Sequence, residues 1–153
     1  METEVSDLYI NASVTVKNKT VKRNGALYYS DESPEVEEFL ANLYKFSKAK
    51  YPKFYKMDQL SKLGWLTAEI LIDDEFKEQN YRTDEVGIVL SNASASLDTD
   101  IRYYESVADI PSPALFVYTL PNIVSGEISI RHGFKGENAF FIFAEFRGLL
   151  QFY

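Results

Sequence analysis

Cysteine is missing altogether from the 153 residues. That absence removes disulfides, thiolate metal sites and a cysteine nucleophile together, and leaves the compartment unmarked by redox chemistry. Histidine occurs once, as His132, with no second histidine to share a metal, and is expected to be structural or exposed. The chain holds no G-x-G-x-x-G, no G-x-x-x-x-G-K-[ST] and no G-x-S-x-G, so the usual phosphate cradles and the hydrolase nucleophile elbow are missing. No run approaches the ~18 apolar residues of a membrane span. The acidic start METEVSDLYI lacks the basic-then-apolar layout of a secretory signal. Cytoplasm is therefore the expected compartment, and the N-x-S/T matches at Asn11, Asn18 and Asn92 are expected to be chance.

Basic charge is short as well: 16 Lys and Arg against 23 Asp and Glu give a net charge of -7. Nucleic acid and anionic membranes are disfavoured partners on that balance. What the chain does have is aromatic bulk, 11 Phe and 11 Tyr, within 46% hydrophobic residues. At this length one domain over 1–153 is expected, burying roughly 68–70% of the surface an unfolded chain exposes.

The chain reads as alternating elements. YINASVTV, residues 9–16, alternates as a half-buried strand does, and Asn24-Gly25 marks a hairpin before ALYYS. Ser33-Pro34 predicts a helix start, with Val36, Phe39, Leu40, Leu43 and Phe46 at helical spacing to about Lys48. Asp58 predicts the N-cap of a second helix with the stripe Leu60, Leu63, Leu66, Ile70 and Leu71 and Trp65 beside it. Gly64 interrupts that stripe, either for a close helix approach or by drift. VGIVL, 86–90, predicts an interior strand emptying into the small-residue loop SNASAS, which is either a ligand site or a solvated connection.

A short helix over 98–108 is expected to use Leu97, Ile101, Tyr104 and Val107, a further helix to lie within 120–134, and NAFFIFAEF to be a strand buried on both faces. The order predicts α/β architecture with a mostly parallel mixed sheet and helices on its faces. Asp73-Asp74-Glu75 reads as a solvated helix end rather than a cation site. Neither a metal nor a cofactor is expected.

Residues 112–145, SPALFVYTLPNIVSGEISIRHGFKGENAFFIFAE, carry a resemblance. Ser112-Pro113, Asn122, Ser125-Gly126, Gly133 and Lys135-Gly136 stand in the order seen in the N-terminal half of β-ketoacyl-acyl carrier protein synthases. Upstream, KFYKMDQLSKLGWLTAEILID and DEVGIVLSNASAS are similar to a helix and the following strand of that family. The resemblance spans about residues 53–146, while the first 50 match poorly. It implies a thiolase-like half-domain, and it places Glu145 where the family carries its nucleophilic cysteine.

A carboxylate cannot replace a thiolate as a thioester carrier, and the family's C-terminal-half histidines are absent. The resemblance thus implies a chain without condensing activity of its own, akin to chain-length-factor subunits, in which glutamine commonly takes the cysteine's place. It would act as a homodimer, or as a heterodimer with an active synthase-like subunit in fatty-acid or polyketide-type biosynthesis. Phe140, Phe141 and Phe143, with Asn122, are the candidate acyl-pocket or interface residues, and an acyl carrier protein is a candidate partner where Lys45, Lys48, Lys50, Lys53 and Lys56 form a basic patch against the net charge of -7, the alternative being that they are a solvated face. Three alternatives stay open: an autonomous interaction or acyl-binding module, Glu145 acting as a base on a malonyl-type thioester, and Glu145 merely ending a strand at water.

Overall fold

The computed structural model describes residues 9–72 and 74–145. Its first unit is an antiparallel meander of β1 (Val14–Lys17), β2 (Thr20–Arg23) and β3 (Ala26–Ser30). Lys17 pairs with Thr20 and Arg23 with Ala26, so both connections are two-residue turns. Their central residues, Asn18, Lys19, Asn24 and Gly25, all have φ between 48° and 80°, the left-handed geometry that matches strand twist in tight hairpins. The Asn24-Gly25 hairpin is as expected. The first turn was concealed by a charged stretch in which only Val21 faces the core, and the regular strand begins at Val14 rather than Tyr9.

Helix α1 (Val36–Ser47) follows, then a 3-10 turn (Pro52–Lys56) and α2 (Gln59–Leu71). Asp58 caps α2 as expected, its Oδ1 accepting from the Ser61 amide at 2.9 Å. Ser33 does not cap α1. It is buried instead, its amide donating to Asp31 Oδ1 and its hydroxyl accepting from Asn42 Nδ2.

The core gathers Val21, Phe39, Leu40, Leu43, Tyr44, Phe54, Met57, Trp65, Leu66 and Ile70, joined by Tyr118, Val124 and Ile128. Trp65 lies at its centre, stacked on Tyr51 with ring centroids 5.1 Å apart, and Leu63 of the expected stripe faces outward. The buried face of α2 is turned toward Trp65 because aromatic rings from α1 and the 3-10 turn fill that side.

The remaining elements are the short α3 (Asp74–Glu78), β4 (Ile88–Asn92), α4 (Leu97–Val107), α5 (Pro113–Tyr118), α6 (Ile123–His132) and β5 (Asn138–Ile142). Asp73 and Phe146, named in the expectations above, lie outside the described residues. Helix α6 packs on α2, and a Cβ on Gly64 would meet Val124 Cγ2 at 2.6 Å, so the close-approach reading of that glycine holds. Strands β4 and β5 pair in parallel, Ile88 opposite Asn138 through Asn92 opposite Ile142. A Cβ on Gly136 would lie 2.5 Å from the Val86 carbonyl oxygen, so the chain entering β5 closes backbone to backbone on the chain entering β4.

The class is mixed α/β, but the expected mostly parallel sheet is corrected. Among the described residues the strands form a three-stranded antiparallel sheet and a separate two-stranded parallel one. The local hairpin turns return each N-terminal strand beside its neighbour, which leaves β4 and β5 only each other. Neither is therefore covered on both faces: Ile88, Leu90 and Phe140 pack on the core, while Val89, Phe141 and Ile142 are exposed. Helix α4 forms where expected with its apolar stripe outward, because Thr99, Tyr103 and Ser106 take the inward face. No helix among the described residues is long and apolar enough to cross a membrane.

Candidate functional site

Two parallel strands bring their carboxyl ends side by side, so the loop 93–96 after β4 and residues 143–145 after β5 share one end of the sheet. The Phe143 amide donates to the Asn92 carbonyl at 3.0 Å and extends the pairing one step beyond β5. Past it, Glu145 is exposed in a bend three residues beyond the strand's last residue, Ile142. Phe141 and Phe143 stack at 5.6 Å on the outward side, whereas Phe140 turns in to the core. Asn122 sits at the N-cap of α6 without a side-chain capping bond and is exposed. The fold thus brings Phe141, Phe143 and Glu145 to one strand end and commits Phe140 to packing.

The loop after β4 is held by Asn92. Its Oδ1 accepts from the Ala95 amide and its Nδ2 donates to the Ala95 carbonyl, each at 2.8 Å, with Ala95 at φ 50°. A non-glycine residue at positive φ is strained, and the paired side-chain bonds hold it there. On sequence alone Asn92 stands out only as a chance sequon, although an asparagine between an apolar strand and a small-residue run is the available signal.

The same loop, with Asp58 and Thr99, lines a cleft of about 260 Å³. Both Asp58 oxygens are engaged, one by the Ser61 amide and the other by Thr99 Oγ1 at 2.8 Å, and Ser96 Oγ donates to the Thr119 carbonyl at 2.5 Å. These polar groups satisfy one another and fix α4 and α5 against α2. A second open cleft of about 680 Å³ runs between Ile10, Arg23, Leu71, Phe76 and Val86, remote in the fold from the strand ends.

Two ionic clusters were not evident beforehand. Glu127, on the apolar face of α6 and only 4% exposed, lies 2.5 Å from Lys53 Nζ and accepts from Tyr51 Oη at 2.9 Å. Burial, then the hydrogen bond and charge of Glu127, push the Tyr51 phenol up to about 12, and burial with the Glu127 and Asp58 charges also raises Tyr118. Lys53 is thereby committed to an intramolecular pair rather than free for an acidic partner.

The other cluster is Glu69 with Arg131 and His132. Arg131 makes two bonds to Glu69, at 2.6 and 3.1 Å, and His132 Nε2 lies 3.3 Å from Glu69 Oε2. Burial alone would raise Glu69, but the hydrogen bonds from His132 and Arg131 and the Arg131 charge outweigh it and hold the carboxyl at about 2. Arg131 thus ties α6 to α2, and the sole histidine lies beside this pair, stacked on Phe134 at 5.4 Å. No group of three or more His, Asp or Glu among the described residues is arranged to hold a metal ion. Compared with protein-family models and with curated proteins, the chain finds a match in neither.

Proposed function

We propose that the chain is a non-catalytic β-ketoacyl-synthase-like subunit that acts by pairing with an active synthase in fatty-acid or polyketide-type biosynthesis. The observation that carries this reading is Glu145: an exposed carboxylate past the end of β5, at the position where the resemblance sets a cysteine, in a chain with no cysteine. An acyl group cannot be held there as a thioester, so the role left to the chain is to bind. A thiolase-like half-domain is supported by the parallel pairing of β4 and β5, whose connection returns through helices, with α6 against both strands. On this reading Phe141 and Phe143 line an acyl pocket or an interface completed by the partner, and the site of action is cytoplasmic.

Co-expression with a cysteine-containing condensing enzyme tests it. The expected result is a stoichiometric complex with altered product length, no turnover of malonyl-type thioesters by this chain alone, and no effect of Glu145→Gln on the partner's rate. Separate elution with unchanged synthase products would overturn the reading, as would thioester turnover by the isolated chain that Glu145→Gln abolishes.

An autonomous interaction module is the second reading, favoured by the apolar side chains that α4 and α5 expose, including Ile101, Tyr104, Phe116 and Val117. Saturable titration by acyl-carrier-protein thioesters with no synthase present would single out its acyl-binding form.

A further inference from the structure

Helix α4 is built inside out. Its outward stripe is Leu97, Ile101, Tyr104 and Val107, exposed by 54, 51, 79 and 47%. The inward face carries Thr99, Tyr103 and Ser106, and two of these dock through hydrogen bonds, Thr99 Oγ1 to Asp58 and Ser106 Oγ accepting from the Ser112 amide at 3.3 Å. A helix whose polar side chains are satisfied inside while its apolar stripe meets water has its second face prepared for another molecule.

Charge decides what kind of molecule. At 100° per residue, Asp98 and Glu105 fall on one flank of the stripe, with the helix's one cation, Arg102, about 40° farther round behind them, and Asp100 falls on the other flank beside Val107. With Leu97 and Tyr104 at d and Ile101 at a, Asp98 and Glu105 occupy e and Asp100 occupies g. An antiparallel pair of two such helices sets Asp98 against Glu105, and a parallel pair sets Asp100 against Glu105. Both put acid on acid, in a chain whose net charge is already -7.

We propose that this face docks a different protein, one whose contacting helix or groove carries an apolar stripe flanked by lysine or arginine. The inference deepens the pairing role proposed above and rests on the premise that the chain acts by pairing. It adds the face used and the chemistry of the partner, and excludes a second copy at this face.

The test uses the full chain and two dye-labelled synthetic amphipathic helices, with leucine at a and d and either lysine or glutamate at e and g. Fluorescence anisotropy is expected to show the lysine peptide binding at least about tenfold more tightly than its glutamate twin, weakening as salt rises. Ile101→Ser with Tyr104→Ser is expected to cost about tenfold or more. Leu27→Ser, an equally exposed change on β3, is expected to cost nothing. Asp98→Lys with Glu105→Lys is expected to reverse the peptide preference, and thermal melts check that each variant is folded.

Binding of neither peptide, or of both alike, would overturn the proposal. So would a concentration-dependent homodimer dispersed by the Ile101 and Tyr104 changes, or sedimentation with phosphatidylglycerol vesicles through the same residues. Peptide failure alongside a purified synthase complex removes this face and leaves the pairing role intact. Peptide success with no synthase captured keeps the face and removes the synthase as partner.

Discussion

Trp65 and Tyr104 are both aromatic residues on helices of three to four turns, yet the first is 1% exposed and the second 79%. Around Trp65, helices α1, α2 and α6 and the meander turn their apolar faces to one another, and polar groups enter in pairs, Tyr51 with Glu127 and Glu69 with Arg131, while the Trp65 indole nitrogen is buried without a hydrogen-bond partner among the described residues. Around Tyr104 the seam between elements is polar and the apolar stripe is outside. The same residue types in the same helical period therefore serve the chain's own stability in one region and its surface chemistry in the other. The difference lies in which face the neighbouring elements cover, not in composition.

Substitutions that separate burial from hydrophobicity would break or sharpen that contrast. Trp65→Ala is expected to lose about 3–5 kcal/mol in urea unfolding, since it empties the centre of the core. Gly136→Ala is expected to cost about 2–3 kcal/mol, because the added carbon meets the Val86 carbonyl rather than a movable side chain. That loss would show the β4–β5 region to be closely built in its backbone even where its side chains face water.

Acid probes the ionic stitching of the packed region. Glu69 falls from 4.5 to about 2 on folding, so its contribution is complete above pH 4.5 and drains away as pH falls toward 2. With screening at the partly exposed Arg131, the loss is on the order of 2 kcal/mol. Glu69→Gln should narrow the wild-type advantage over that window, followed by thermal melts at successive pH values.

Smaller still, Asn92→Ala is expected to cost about 1 kcal/mol and to speed proteolysis within 93–96, as two bonds to Ala95 are lost. Least of all, Ile101→Ser should stay within about 0.5 kcal/mol of wild type. A loss as large as that at Trp65 would mean that α4 serves the core, and the contrast would collapse.

Much of the element order was legible in the sequence because it is local. Asp58 as a cap, the Asn24-Gly25 turn, the helix near 98–108 and two strands, expected over 86–90 and 138–146 and found at Ile88–Asn92 and Asn138–Ile142, follow from spacing and turn chemistry. The cost of Gly64 in a helix interior drew notice to it, but close approach and drift stayed open until Val124 was placed against it. What stayed hidden depends on partners distant in the chain. The period of α4 fixes its stripe but not whether the stripe faces the chain's own core, and the charged run around Val21 conceals a strand that needs one inward residue only. Glu127 carries no signal of its own in the sequence, because its partners Lys53 and Tyr51 stand more than 70 residues earlier. At the candidate site the strand itself was legible but not its end, which was expected to carry Glu145 and instead falls at Ile142, and the Asn92 clasp and the outward turn of Phe141 depend on the register of β4 with β5.

The single indole of this chain gives the molecule an uneven optical voice. Seated between Tyr51, Phe54 and Tyr44, it is a sensitive emitter for collapse of the helices around it. Docking on the far side of α4 would leave that emission unchanged, so a silent tryptophan spectrum says nothing about binding, and a visitor to that helix must bring its own fluorophore to be seen.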